Sequence, residues 1–118
     1  MQPKQLTRLV VDALNERKGE DIVVLDVREL TDITDYMIVA SGRSRRQVTA
    51  LAEEVVLKSK RAGRAPRGVE GMERGEWVLI DLLDAVVHVM EPETRDFYQL
   101  EKLWGGKEAG LPLSSAAP

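Results

Sequence analysis

Two short apolar runs late in the chain, Trp77-Val78-Leu79-Ile80-Asp81 and Ala85-Val86-Val87-His88-Val89-Met90, constrain the fold more than any other feature. They are rich in β-branched residues and so close in sequence that they should pair as an antiparallel hairpin. Side chains alternate between faces along a strand, which sorts both runs before the turn is known. With Leu82-Leu83 as a two-residue turn, Asp81 lies opposite Asp84, Leu79 opposite Val86 and Trp77 opposite His88. A slip of two in the summed residue numbers leaves every side chain on the same face. One face collects Val78, Ile80, Ala85, Val87 and Val89. It is purely aliphatic and should lie against helices, each larger side chain contributing roughly 1.5–3 kcal/mol on burial. The other collects Trp77, Leu79, Asp81, Val86, His88 and Met90. A core mixes Trp, Asp and His with aliphatics only where each polar group finds a partner, whereas a docking surface does so freely. This second face reads as the binding face. The plainer alternative is that Asp81 caps the turn and His88 is a satisfied interior histidine.

The rest of the chain supplies the cover. Leu6, Leu9, Val10, Ala13 and Leu14 recur at helical spacing, and that helix should end near Lys18-Gly19, with glycine taking the left-handed cap. Ile22 to Val27 and Tyr36 to Ala40 read as buried strands. Ser44 is a good N-cap and Gln47 completes a capping box, opening a helix that runs through Val48, Leu51, Ala52, Val55 and Val56 to Ala62-Gly63. Pro66 to Val69 suits an edge strand, and Pro92 can start one or two short helical turns reaching Trp104. From Gly105 the composition turns to Gly, Ala, Ser and Pro. The expected fold is a single α/β domain over residues 1–104. It holds a mixed β-sheet of about five strands with two main helices packed on one face. Residues 105–118 are expected to form a flexible C-terminal tail.

The net charge of −3 argues against a general grip on nucleic acid and leaves room for a basic protein partner. There is no cysteine, which excludes disulfides, thiol catalysis and thiolate metal sites. No apolar run suits a signal peptide or a membrane span, so a cytoplasmic protein is expected. His88 is the only histidine and cannot build a multi-histidine metal site. No metal or cofactor is expected.

Several segments together carry a family resemblance. They are Leu25-Asp26-Val27-Arg28, the series from Thr34 to Val48, Gly68-Val69-Glu70-Gly71, Trp77 to Asp81, Val86 to Met90 and Arg95 to Trp104. In order and ungapped spacing they resemble the Iojap family, the ribosomal silencing factors. The resemblance implies an α/β domain shaped like a nucleotidyltransferase but without its catalysis. It implies binding to the large ribosomal subunit through its protein L-fourteen, which would block joining of the small subunit and repress translation, notably under nutrient limitation. It carries a partner-binding role onto Trp77, Asp81, His88, Arg95, Tyr98, Leu100 and Glu101. Relatives usually carry an aromatic-Gly-Asp turn between the hairpin strands. Here the turn is Leu82-Leu83-Asp84, and without glycine a turn with positive φ is disfavoured.

Other readings stand beside this one. Asp81 and Asp84 could serve a degenerate nucleotidyltransferase as a magnesium-binding pair, or the mixed hairpin face could pair with itself in a homodimeric ribosome-assembly module. Arg43, Arg45 and Arg46 form a basic cluster suited either to a solvated helix start or to a minor rRNA contact. Glu91, Glu93, Asp96 and Glu101 form an acidic rim near Trp77 that would speed encounter with a basic partner. Trp104 reads as a plug closing the domain.

Overall fold

The computed structural model describes residues 1–104 and 107–108. Its elements follow the expected order: α1 (Pro3–Glu16), β1 (Glu20–Asp26), β2 (Tyr36–Ser41), α2 (Arg45–Arg61), β3 (Gly68–Glu70), β4 (Trp77–Asp81) and β5 (Ala85–Met90). Two short helices, α3 (Pro92–Tyr98) and α4 (Leu100–Trp104), and a two-residue strand β6 (Lys107–Glu108) complete them. The strands form one mixed sheet in the order β3-β4-β5-β2-β1-β6. β2 lies at its centre, parallel to β5 and antiparallel to β1, and every residue of β2 is buried.

Both long helices lie on one face. The hairpin's aliphatic side chains Val78, Ile80, Ala85, Val87 and Val89 are fully buried there with Leu6, Val10, Leu14, Val48, Leu51 and Val55. α2 begins as its sequence suggests: Ser44 Oγ accepts the Gln47 N–H at 3.1 Å. Gln47 Oε1 reaches one residue beyond the cap and accepts the Arg43 N–H at 2.6 Å.

Two local expectations are corrected. Lys18, not Gly19, takes the left-handed position after α1, with φ 62°. Gly19 instead lies in close quarters, where a Cβ would meet the Leu14 carbonyl oxygen at 3.1 Å and Leu51 at 3.3 Å. The hairpin turn does use positive φ despite its missing glycine. Leu83 sits at φ 73° while the Asp84 N–H closes onto the Leu82 carbonyl at 2.9 Å. The register is therefore the slipped one, with Trp77 opposite Met90, Leu79 opposite His88 and Asp81 opposite Val86. Facial assignments survive the slip, as alternation requires.

The second face of the sheet departs most from expectation. It carries its own small core of Leu25, Val27, Met37, Val39, Met90 and Leu100, with Trp77 at the margin. Leu100 arrives from α4, so the last helices cover much of the face read as open. Lys107–Glu108 pair with β1 at the sheet's edge. The remainder of the expected tail, and the Trp104 side chain, lie outside the described residues. Among the described residues no helix is long and apolar enough to cross a membrane.

Candidate functional site

The hydrogen bond between Trp77 and His88 organises what remains open on the second face. The two are diagonal neighbours across β4 and β5, a spacing that long aromatic side chains can bridge. The indole Nε1–H donates to His88 Nδ1 at 2.9 Å. His88 must then be neutral and carry its proton on Nε2. It is buried, and the loss of solvation lowers its pKa from 6.5 to about 4. Trp77 is thereby fixed at its polar tip and remains half-buried. Its outer side meets the Tyr98 ring at 4.8 Å, and Phe97 meets Tyr98 edge-on at 4.9 Å.

The three aromatics line a groove of about 390 Å3 with Arg74, Glu76, Glu93 and Thr94. Tyr98 is 50% exposed and Phe97 81% exposed, unusual for side chains of this size. The far wall needs Gly71, whose φ is 89° and whose place would not admit a Cβ because it would overlap the Trp77 carbonyl oxygen. Around the groove the charge is mostly negative. Glu73, Glu93 and Asp96 are exposed, and Arg45 is shared between Glu76 and Glu91 at 3.7 Å each.

Arg95 holds this arrangement from beneath. It is 8% exposed; Nη1 donates to Ser41 Oγ at 2.8 Å, while Nε and Nη2 both reach Glu101 Oε2, at 3.2 and 3.1 Å. The guanidinium therefore ties α3 to the end of β2 and to α4. Between the two helices Gln99 turns the chain at φ 48°, its N–H donating to the Arg95 carbonyl. The other carboxylate oxygen, Glu101 Oε1, is buried without a partner.

The sequence-derived residues thus divide. Trp77 and Tyr98 meet at the groove. His88, Arg95 and Leu100, expected to touch a partner, lie in the interior, where they set the positions of the exposed aromatics; Glu101 is engaged by Arg95. Asp81 serves the turn, accepting the Leu83 N–H at 2.9 Å and pairing with Arg67 at 3.1 Å. Asp84 pairs with Arg64 at 2.7 Å, so the two aspartates face separate arginines instead of converging on one site. Among the described residues no group of three or more His, Asp or Glu is gathered to hold a metal ion. Phe97 was missed. Its signal was its adjacency to Tyr98 in a chain with few aromatics, which helical periodicity does not weigh.

The profile of the family described as "Ribosomal silencing factor during starvation" matches residues 1–117. The chain belongs to that family. The ribosomal silencing factor RsfS of Chromobacterium violaceum is 48% identical over 118 residues, spanning all of this chain and 97% of that protein. A crystal structure of a Chromobacterium violaceum protein superposes with a TM-score of 0.88 at 46% identity, covering 98% of both chains. One from Bacillus halodurans does so with a TM-score of 0.80 at 37% identity, covering 89% of this chain and 98% of that one. A mouse protein, "Mitochondrial assembly of ribosomal large subunit protein 1", is 34% identical over 81% of this chain, which spans 43% of it. Both the fold class and the family expected from the sequence are therefore established.

Proposed function

We propose that this ribosomal silencing factor acts by docking, without chemistry, on the large ribosomal subunit through its protein L-fourteen. Bound there, it blocks joining of the small subunit and lowers translation, notably when nutrients are limiting. The observation that carries the reading is the set Trp77, Phe97 and Tyr98: two aromatics held out to solvent on a tryptophan that a buried histidine keeps rigid. Folding alone does not require such exposure, whereas rigid aromatic anchors are what protein interfaces use. The family's description supports a ribosomal partner, and the mouse relative's name points to the large subunit. The acidic rim suits a basic ribosomal protein. A body about 30 Å across is thick enough to act as a wedge between two surfaces that must meet.

Co-sedimentation with separated subunits tests this. The protein should pellet with the large subunit alone, and Phe97→Ala with Tyr98→Ala should weaken that association at least tenfold without lowering the melting temperature. Wild-type binding by the folded double variant would place the interface elsewhere.

A further inference from the structure

We propose that the end of the molecule built from the last turn of α2 and the loop leading to β3 is a second docking surface, which takes the phosphate backbone of RNA. The segment Lys58-Ser59-Lys60-Arg61-Ala62-Gly63-Arg64-Ala65-Pro66-Arg67 holds five cations and no acid. In a chain whose net charge is −3 this is a strong local excess of positive charge.

The fold uses three of these cations: Lys58 pairs with Glu16 and Glu54, Arg64 with Asp84, and Arg67 with Asp81. Lys60 and Arg61 are exposed and have no carboxylate partner among the described residues. A third cation joins them from α1. Arg64 Nη1 donates to the Met1 carbonyl at 3.2 Å, which seats the start of α1 at this end and places exposed Lys4 within its first turn. The contrast with Arg43 and Arg45 is direct: Arg43 is bound to Glu20 at 2.8 Å and Arg45 to two glutamates.

A helix C-terminus favours cations, which accounts for Lys60 and Arg61 being tolerated. Ion pairs with Asp84 and Asp81 account for Arg64 and Arg67 beyond the helix, but neither effect accounts for exposed Lys4 on another helix. The platform is also stiff. Gly63 takes φ 81°, the Arg64 N–H returns to the Ser59 carbonyl at 2.8 Å and the Gly63 N–H to that of Lys60 at 3.0 Å, the paired bonds of a Schellman cap. Between the cations lie only Ala, Gly, Ser and Pro, and the segment has no aromatic on which a base could stack. Such a surface fits regularly spaced phosphates and reads no sequence.

α2 separates this end from the aromatic groove by roughly 25 Å at 1.5 Å per residue. Both surfaces can therefore be occupied together, and this inference does not rest on the protein contact proposed above.

The test is a titration of the full chain into a short fluorescein-labelled RNA duplex, followed by anisotropy across a salt series. Saturable binding that weakens with salt is expected. The variant Lys60→Gln with Arg61→Gln should bind at least fivefold more weakly, with a log–log salt slope shallower by about one to two. Arg28→Gln, whose guanidinium is held by Asp26 at 2.6 Å, should stay within twofold of the parent. Trp77→Ala should keep its RNA affinity even where it loses the large subunit's protein, which separates failure of one surface from failure of the other. No saturable binding at low salt overturns the proposal. Unchanged binding by a folded Lys60/Arg61 variant, or equal competition by poly-glutamate, does so too.

Discussion

His88 shows how one titratable side chain can govern a surface it does not itself present. Its Nδ1 holds the indole of Trp77 only while it is unprotonated, and burial keeps it so down to about pH 4. In the unfolded chain the same imidazole takes up its proton near 6.5. Its contribution is therefore whole above pH 6.5, declines as the pH falls through the interval between the two values, and is gone below about 4. The linkage amounts to about 3 kcal/mol. Urea titrations at pH 7 and pH 4.5 should show that loss on top of the carboxylate background, and His88→Gln should lose correspondingly less between the two. Sequence alternation put Trp77 and His88 on one face correctly. It left open which of them would be covered, because the cover is Leu100, and nothing near Gln99 announces a chain reversal in the way a glycine would.

At the scale of elements, three connections place a residue other than glycine in the left-handed region: Lys18 after α1, Leu83 in the hairpin and Gln99 between α3 and α4. At the first two the sequence pointed to another geometry, and at Gln99 it gave no sign, whereas strand alternation and the Ser44 cap were legible because they depend on side-chain periodicity and one hydrogen bond. Leu83 is half-exposed, so the strain of its φ is offset by little packing. Leu83→Gly should raise stability by roughly 0.5–1 kcal/mol, the relief of the left-handed backbone less the added entropy of an unfolded glycine. An unchanged denaturation midpoint would mean that the turn carries no such strain. Arg95 works in the opposite sense, as the tie that keeps the two short helices together. Arg95→Met leaves Ser41 Oγ and Glu101 with unpaired polar atoms and should cost roughly 3–5 kcal/mol, read by chemical denaturation. Arg95→Lys keeps the charge and loses the fork, so it should fall between the two.

The whole molecule, about 32 × 32 × 30 Å, separates its charge along α2. Exposed carboxylates and the aromatics outnumber Arg43, Arg45 and Arg46 where that helix begins, while Lys60 and Arg61 stand without a carboxylate partner among the described residues where it ends. For the docking proposed above, the acidic end governs arrival more than residence. Glu93→Gln with Asp96→Asn should slow association with the large subunit several-fold at low salt and leave dissociation nearly unchanged, as surface-immobilised subunits would report. Net charge alone had argued against a general grip on nucleic acid. That average could not show which cations stay unpaired, because the carboxylates of Asp81 and Asp84 that neutralise Arg67 and Arg64 are distant in sequence and adjacent only in the fold.

The parallel seam at the centre of the sheet joins Tyr36 to Ala85 and Ser41 to Met90. During synthesis β2 must therefore wait for β5, and the groove must wait longer still, for Phe97, Tyr98 and Leu100. A nascent chain therefore has no finished groove until residues 97 to 100 have been made. The surface proposed above for docking is thus assembled last, after the sheet on which it stands.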